Sequence, residues 1–271
     1  MLAANWSRYT DGMSAALRLM CVLAHPDDES LGTGGILAKY ASEGVATYVV
    51  TATRGERGRF DDSGVSPGPE IVGRAREAEL HAAATALGVR EVAFLDYLDA
   101  ELDRANPNEA VEKIATHIRR VQPQVVVTFD PFGAYGHPDH IAISQFTTAA
   151  IVRAADTHRV SKLYYFVFGA PKWARYQTAF KTLSSTVDGT VRLGTAWPPW
   201  SITTQVDATA VWQSVWRAVQ CHKTQMSIYK NFASLSEDDQ KLIWGRPEFY
   251  RAFSLVNGGR EVETDLFEGL R

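Results

Sequence analysis

The stretch Ala24-His25-Pro26-Asp27-Asp28-Glu29 decides the fold, because a buried strand ends there and a helix begins. The residues leading into it, Leu19 to Ala24, form a short and wholly apolar run. Such a run is typical of a strand buried on both faces of a parallel sheet. Ligands of open α/β sheets bind beyond the carboxyl ends of the strands, where this imidazole and these carboxylates lie. The stretch therefore indicates a metal-binding turn between a strand and a helix.

A second cluster, Tyr135-Gly136-His137-Pro138-Asp139-His140, follows another apolar run, Val125 to Phe129. If both runs are parallel strands of one sheet, both clusters lie at the same edge, where His25, Asp28 and His140 can converge. Three such ligands leave a coordination position open for water. One His-x-x-Asp alone is most often a solvated turn. Two His/Asp/Pro clusters, each directly after a buried strand, favour a shared metal site.

Composition is that of an ordinary soluble protein, with 271 residues, 45% apolar residues, 22% charged residues and a net charge of −3. The length suffices for one large domain with a full core. Basic residues are dispersed, apart from Arg54, Arg57 and Arg59 in one loop, so we predict no nucleic-acid partner. No run reaches the ~18 apolar residues of a membrane-spanning helix, and the first twelve residues lack the apolar core of a signal peptide. We therefore predict a cytoplasmic protein with no membrane partner.

Strand and helix patterns alternate along most of the chain, which predicts a parallel sheet covered by helices, a Rossmann-like three-layer αβα fold. Asn106-Pro107 is the clearest helix start, since an N-cap residue precedes a proline at the first helical position. The loop from Thr53 to Pro69 is long for an α/β protein, which is typical of functional or disordered segments. The predicted strands span 19–24, 46–52, 92–95, 125–129, 163–168 and 202–206, and the predicted helices span 31–44, 74–87, 107–121, 139–154 and 208–221 with Asp207 as N-cap.

The sequence predicts a short N-terminal segment followed by one domain. We expect residues 1–18 to form a disordered or extended N-terminal segment, with Met13 as a possible alternative start. Residues 19–271 should form a single domain, because no repeat, low-complexity tract or linker divides them. The irregular C-terminal part is expected to complete the pocket.

The paired motifs resemble the LmbE-like (PIG-L) family of zinc-dependent N-acetylglucosaminide deacetylases. The resemblance rests on His25-Pro26-Asp27-Asp28-Glu29 and Gly136-His137-Pro138-Asp139-His140, and it extends from Leu19 to Gln225. Pro131-Phe132-Gly133-Ala134 stands where some thiol-biosynthesis members carry Gly-Gly, so the motifs identify the family and not one sugar substrate. Further matching positions are Thr53-x-Gly55-Glu56, Arg76-x-x-Glu79, the Asp99 loop and His222-x-x-Gln225.

The family implies a metal and a base for the first cluster. His25, Asp28 and His140 would hold zinc, with iron(II) as the alternative metal. Asp27 would be the base that takes a proton from the attacking water. Spacing alone does not separate Asp27 from Asp28; the resemblance does.

The resemblance also implies roles for residues around the metal. His137 would stabilise the oxyanion or protonate the leaving amine, and Asp139 would be the partner that orients it. Tyr135 resembles a mobile tyrosine beside the scissile carbonyl. The residues similar to substrate-hydroxyl contacts are Arg76, Glu56 and Asp99.

The implied reaction removes an N-acetyl or N-acyl group from a small-molecule amino-sugar conjugate by hydrolysis. Water is a poor nucleophile and an amide a poor electrophile at neutral pH, and zinc improves both. A hydratase of an unsaturated dicarboxylic acid on the same fold is the main alternative. A non-haem iron oxygenase has a similar ligand set but usually another fold, and a non-enzymatic sugar-binding protein would not need an intact base and acid. Family members are often oligomeric, so a homo-oligomer is possible.

Overall fold

The computed structural model describes residues 16–61, 63–180, 183–259 and 261–271. The predicted N-terminal segment lies mostly outside these ranges, and Arg18, its last residue, already begins a strand. The strands are β1 Arg18–Leu23, β2 Ala46–Thr53, β3 Glu91–Tyr97, β4 Val125–Phe129, β5 Lys162–Val167, β6 Ser184–Val187, β7 Thr190–Leu193, β8 Thr204–Gln205 and β9 Glu248–Ser254. The helices are α1 Asp28–Leu31, α2 Gly34–Ser42, α3 Pro69–Leu87, α4 Pro107–Val121, α5 Gly133–Gly136, α6 Pro138–Ala154, α7 Ala170–Phe180, α8 Trp212–Cys221, α9 Met226–Tyr229 and α10 Glu237–Gly245.

The central sheet has seven strands in the order β3-β2-β1-β4-β5-β9-β8. Strands β1 to β5 are parallel, whereas β9 runs antiparallel to β5 and β8 antiparallel to β9. The predicted α/β fold with a mostly parallel sheet is therefore confirmed. The chain proceeds outward from β1 to β3 on one side and from β4 to β5 on the other. The carboxyl ends of β1 and β4 thus flank a topological switch point, the place where such sheets bind ligands.

Element boundaries follow the prediction closely where local signals are strong. Helix α4 begins at the predicted proline, and the Asn106 side chain accepts a hydrogen bond from the N–H of Asn108. Helix α3 begins at Pro69 and not at the predicted Arg74, and Pro69 stands at a first-turn position that a proline favours. No helix among the described ranges is long and apolar enough to cross a membrane.

The predicted strand 202–206 and the predicted cap of α8 are wrong in detail. Strand β8 has only two residues, because it pairs with β9 at just two positions on the edge of the sheet. The Asp207 carboxylate accepts hydrogen bonds from the backbone N–H and the hydroxyl of Thr209. It therefore closes the turn before α8, and the helix itself begins at Trp212.

A buried ion pair attaches the C-terminal segment to the sheet. Glu263 accepts a hydrogen bond from the Lys162 ammonium on β5 at 2.7 Å, and from the hydroxyls of Tyr164 and Thr204 at 2.7 and 2.8 Å. Lys162 is 0% exposed and Glu263 is 1% exposed. Removing one partner of such a pair leaves an uncompensated charge in the core.

We expect Glu263→Gln to lower the free energy of unfolding by about 3–5 kcal/mol, the usual result of breaking a buried ion pair. Urea unfolding at neutral pH measures this, with Glu261→Gln as the control, since Glu261 is exposed. Burial alone would raise the pKa of Glu263, but the hydrogen bond from Lys162, with those of Asn257, Tyr164 and Thr204, lowers it from 4.5 to about 2. The contribution of the ionised Glu263 to the free energy of unfolding should therefore be present above pH 4.5 and lost as the pH falls toward 2. Equal unfolding free energies for the two variants would contradict this account.

Candidate metal and catalytic site

Two turns at the carboxyl ends of β1 and β4 build the site. After β1 the chain passes through His25 and enters α1 at Asp28. After β4 it forms the short turn α5 and enters α6 at Pro138, with His137 as the N-cap residue. Gly133, at φ +65°, lets this second turn pass close to α6, since a Cβ there would lie 2.8 Å from the Cβ of His140. The topology thus brings together two clusters that lie about a hundred residues apart in the sequence.

The three predicted metal ligands converge. His25 Nδ1 lies 3.1 Å from His140 Nε2 and 3.8 Å from Asp28 Oδ2, and His140 Nε2 lies 3.6 Å from Asp28 Oδ1. Ligands around one tetrahedral zinc ion are roughly 3.3–3.5 Å apart, given zinc–ligand bonds of about 2.0–2.2 Å. Two imidazoles and one carboxylate at these distances therefore fit a zinc-type ion.

Each ligand is oriented by further hydrogen bonds. Asp28 Oδ2 accepts from the backbone N–H groups of Ala24 and His25 at 3.2 and 2.8 Å, which leaves Oδ1 facing His140. His25 Nε2 lies 3.1 Å from Asp139 Oδ2 and 3.2 Å from Asp99 Oδ1. A carboxylate on the far nitrogen of a ligating histidine fixes the ring and its tautomer. Nδ1 of His25 is thereby directed toward the other two ligands.

Asp139 departs from its predicted contact. Its carboxylate accepts hydrogen bonds from the backbone N–H groups of Ala100 and Leu102 and faces His25, whereas its contact with His137 is a backbone one. The reason is local: Asp139 lies in the first turn of α6, and His137 caps that helix by accepting from the Asp139 N–H at 3.2 Å. The Asp139 carboxylate therefore does not contact the His137 side chain as predicted, and it contacts the predicted metal ligand His25 instead.

The three predicted ligands differ in their protonation behaviour, and only His140 already has the state that a metal ligand needs. Burial and the neighbouring His25 lower the pKa of His140 well below its usual range, so its ring is neutral. Burial would lower the pKa of His25 too, but the Asp139 and Asp99 carboxylates raise it well above its usual range. Burial raises the pKa of Asp28 to about 7. Metal binding displaces protons from such ligands, so occupancy should depend on pH.

His25 also belongs to two other compact groups of possible metal ligands. One group contains His137 and His140, and the other contains Asp99 and Asp139. The group with Asp99 and Asp139 fits a metal less well, because its carboxylate oxygens already accept hydrogen bonds, and in the other group one ring nitrogen of His137 is occupied. The Nδ1 of His137 accepts from a backbone N–H, and both carboxylates accept backbone N–H groups. Among the described residues, His25, Asp28 and His140 are the better set.

The adjacent Asp27 has an unusual backbone conformation. Its φ is +116°, a region that residues with a side chain rarely adopt and that often marks a functional site. The Asp27 N–H donates to Glu29 Oε2 at 2.9 Å, and Asp27 Oδ2 accepts from Arg76 at 2.8 Å and from the Tyr229 hydroxyl at 2.7 Å. Oδ1 accepts no hydrogen bond from the part of the chain that the structure describes. One oxygen of Asp27 is thus anchored and the other is available to a reactant.

The predicted substrate contacts lie beside the site but bind the protein. Arg76 is only 4% exposed and donates to Asp27 and to the carbonyl oxygens of Pro26 and Gly55. Asp99 accepts from the Arg57 N–H at 3.1 Å, and Glu56, which is half-buried, accepts from the Asp99 N–H at 3.2 Å. Gly55, at φ +66°, leaves room for the Arg76 guanidinium, which a Cβ would strike.

Sequence reasoning missed two contributors to the site. Tyr229 on α9 binds Asp27 across 202 residues, and no motif marks it. His222 Nε2 lies 2.8 Å from Glu29 Oε1 and so supports the carboxylate that holds the Asp27 N–H. His222 stands in the His222-x-x-Gln225 match, which was the one available signal. The irregular C-terminal part thus contributes to the pocket, as the sequence predicted.

A cavity of about 310 Å³ opens beside these residues, and we call it the apolar cavity. One end is formed by Asp27, Asp28, His140 and Tyr135, which is half-buried with its ring centre 5.2 Å from that of His140. The remaining walls are mainly apolar and include Leu31, Phe129, Phe166, Phe168, Phe180 and Ile228.

Known proteins are similar to this chain in sequence and in fold. The family model described as PIG-L, GlcNAc-PI de-N-acetylase, matches residues 20–151. A 1D-myo-inositol 2-acetamido-2-deoxy-alpha-D-glucopyranoside deacetylase of Nocardiopsis dassonvillei is 34% identical over 93% of this chain and 100% of its own length. The solved N,N'-diacetylchitobiose deacetylase of Pyrococcus horikoshii, 20% identical, has a TM-score of 0.65 over 87% of this chain and 84% of its own. A solved 4-carboxy-2-hydroxymuconate hydratase of Pseudomonas putida is 22% identical, with a TM-score of 0.64 over 90% of this chain and 99% of its own.

The α/β fold and the relatives define an enzyme of the deacetylase class, which acts on an amide. Its two His/Asp clusters meet at the switch point of the sheet, where the candidate metal site lies. The chain belongs to the PIG-L (LmbE-like) family, as the paired motifs predicted.

Proposed function

We propose that this protein is a zinc-dependent hydrolase that removes the N-acetyl group from an amino-sugar conjugate. The single observation that carries the proposal is the pairing of two adjacent aspartates, each with one anchored and one available oxygen. Asp28 directs Oδ1 toward His140, and Asp27 has Oδ1 free of described partners at the edge of the apolar cavity. A ligand and a base side by side are what amide hydrolysis requires.

His25, Asp28 and His140 would hold the zinc ion. When bound, zinc lowers the pKa of water and polarises the amide carbonyl. Asp27 Oδ1 takes the proton from the attacking water, while Arg76 and Tyr229 keep Oδ2 in place. The same proton then passes from Asp27 to the amide nitrogen as the C–N bond breaks. Acetic acid and a free amine are the products, Asp27 is again unprotonated, and the acid then ionises to acetate by releasing the second water proton to solvent.

His137 is better suited to stabilise the oxyanion than to act as the acid. Its Nδ1 accepts the Asp139 N–H, so the neutral ring carries its proton on Nε2. Burial, with the neighbouring His25, lowers the pKa of His137 to about 4, so the ring is neutral at physiological pH. A neutral N–H donor aimed at the developing negative charge stabilises the transition state. Tyr135, whose pKa burial raises, stays protonated as a second donor.

The direct test is release of amine and acetate by the zinc-loaded protein from N-acetylglucosaminyl-inositol, N-acetylglucosaminyl-malate, N,N'-diacetylchitobiose and a glycopeptide conjugate. Turnover of at least one conjugate is expected, and chelation of the metal should abolish it. No product from any of these conjugates or from their S-conjugated amide relatives would refute the proposal.

A hydratase remains the second candidate function, because a solved hydratase has a similar fold over most of this chain. It predicts water addition to an unsaturated dicarboxylic acid, seen as a loss of ultraviolet absorbance. Absorbance loss without amine release would favour it.

Tyr229→Phe should slow turnover without releasing metal. The hydroxyl donates to the Asp27 carboxylate, and losing a hydrogen bond to a charged group typically costs about 1.5–3 kcal/mol. We expect kcat to fall by about 10-fold to 100-fold. Tyr165→Phe is the matched control, since its hydroxyl contacts Thr148 at 3.0 Å away from the site. A loss of zinc in Tyr229→Phe, or equal rates in both variants, would contradict the positioning role.

The proposal also covers the domain organisation, the localisation and the oligomeric state. We propose that residues 19–271 act as one domain, that the protein is cytoplasmic and that it forms homo-oligomers. The hydroxyl contacts of Arg76, Glu56 and Asp99 with substrate stay predictions. Size-exclusion chromatography with light scattering tests the oligomeric state.

A further inference from the structure

The walls of the apolar cavity are mainly aromatic and aliphatic beyond its polar end. It begins at Asp27, Asp28 and His140, so any group bound in it is part of a molecule that reaches the reacting centre. Beyond that end, Phe166, Phe168 and Phe180 present aromatic rings. Its volume of about 310 Å³ lies at the lower end of the range for ligand pockets.

Hydrogen-bonding capacity along these walls is low. Beyond Tyr135 and the reacting end, the described polar side chains that line the cavity are Tyr176 and Ser184. The Tyr176 hydroxyl already donates to the carbonyl oxygen of Leu31 at 2.5 Å. A polyol in this space would give up hydrogen bonds to water without replacing them, which lowers affinity.

On the polar side of the site, two of the predicted substrate contacts also bind the protein. Arg76 and Asp99 are buried and bound to protein groups, with the guanidinium on Asp27 and the carboxylate on His25 and Arg57. Much of the hydrogen-bonding capacity of these two groups is therefore used within the protein. Apolar contact area is what the cavity offers.

We propose that the cavity binds an alkyl or aryl group of the substrate, so that this protein acts on amino-sugar conjugates carrying an apolar substituent. The inference rests on the proposed function and adds the substrate class. The group can belong to the N-acyl chain or to the aglycone, since both are attached near the reacting amide. Each methylene that enters the cavity should raise affinity by roughly fourfold.

Binding of reaction products tests the cavity separately from turnover. Calorimetry on the zinc-loaded protein compares hexyl, methyl and inositol glucosaminides as one arm, and hexanoate with acetate as the other. We expect at least about tenfold tighter binding of the hexyl compound in one arm, which identifies the aglycone or the acyl chain as the source. Equal binding within both arms, or tightest binding of the inositol compound with no preference for hexanoate, would overturn the inference.

Two wall variants locate the preference. Ile228→Asn and Leu31→Asn each place an amide in the apolar wall and should reduce the hexyl preference to under about threefold. Ile71→Asn is the matched control, since Ile71 is 46% exposed on α3, and it should keep the preference. A preference unchanged in both wall variants would place the alkyl group elsewhere and overturn the inference. Absence of any turnover would instead count against the proposed function alone, because binding is measured on products.

Discussion

Asp28→Ala is expected to lose most of its zinc together with its activity. The substitution removes one of three protein ligands, and the two that remain are the neutral imidazole of His140 and the ring of His25. Zinc sites that support catalysis normally have three protein ligands. Metal content by plasma mass spectrometry, measured beside turnover, gives the result directly.

Asp28 also accepts the N–H groups of Ala24 and His25, so Ala could disturb the turn itself. Asp28→Asn separates the two effects, because its amide oxygen can keep both hydrogen bonds while an NH₂ group replaces the ligand oxygen. We expect Asp28→Asn to lose zinc as well. The control is Asp103→Ala, at an exposed position. An Asp28→Ala protein that keeps both metal and rate would refute the ligand assignment.

Asp27→Asn is expected to keep its zinc while the rate falls by ~10²–10⁴-fold, as is typical when a positioned base is lost. The change keeps the side-chain volume and removes the basic oxygen. Asn is among the residues that best tolerate a positive φ, so the backbone at φ +116° should persist. Turnover and metal content on the same samples measure both parts of the prediction.

Asp96→Asn is the matched control for Asp27→Asn. Asp96 also has a positive φ, +59°, and also binds an arginine, with its Oδ1 2.6 Å from Arg54 Nη1. Asp96 lies near the end of β3 on the protein surface. The Asp96→Asn variant should therefore have a turnover rate close to that of the unaltered protein. A loss of metal in Asp27→Asn with normal metal in Asp28→Ala would reverse the two roles and refute the mechanism.

The fold and the meeting of the two His/Asp clusters could be predicted from the sequence because their signals are local or recur. The apolar runs before His25 and before Tyr135 each predict a buried strand, and the cluster after each run predicts what lies at the strand's end. A parallel sheet then requires the two ends to meet, so His25, Asp28 and His140 could be placed together without coordinates. The start of α4 was equally clear, because Asn106 and Pro107 satisfy the first turn by themselves.

The second layer around the site depended on contacts between distant elements. Asp139 was expected on His137, its neighbour in sequence, but α6 turns its carboxylate toward His25 and the Ala100 turn. Arg76, for which a substrate contact is predicted, also donates to Asp27 from a buried position that the sequence did not indicate. Spacing cannot predict such partners, because a side chain's direction depends on how its helix packs.

The sequence by itself determined the α/β class and the position of the two His/Asp clusters at the ends of buried strands, since strand burial and residue type are local properties. Only the tertiary structure decided which oxygen of each aspartate is available, and that Tyr229 and His222 support Asp27 from about 200 residues away. It also decided the apolar character of the cavity, whose walls come from strands and helices across the chain. Each of these depends on long-range packing, which brings together side chains that no sequence interval connects.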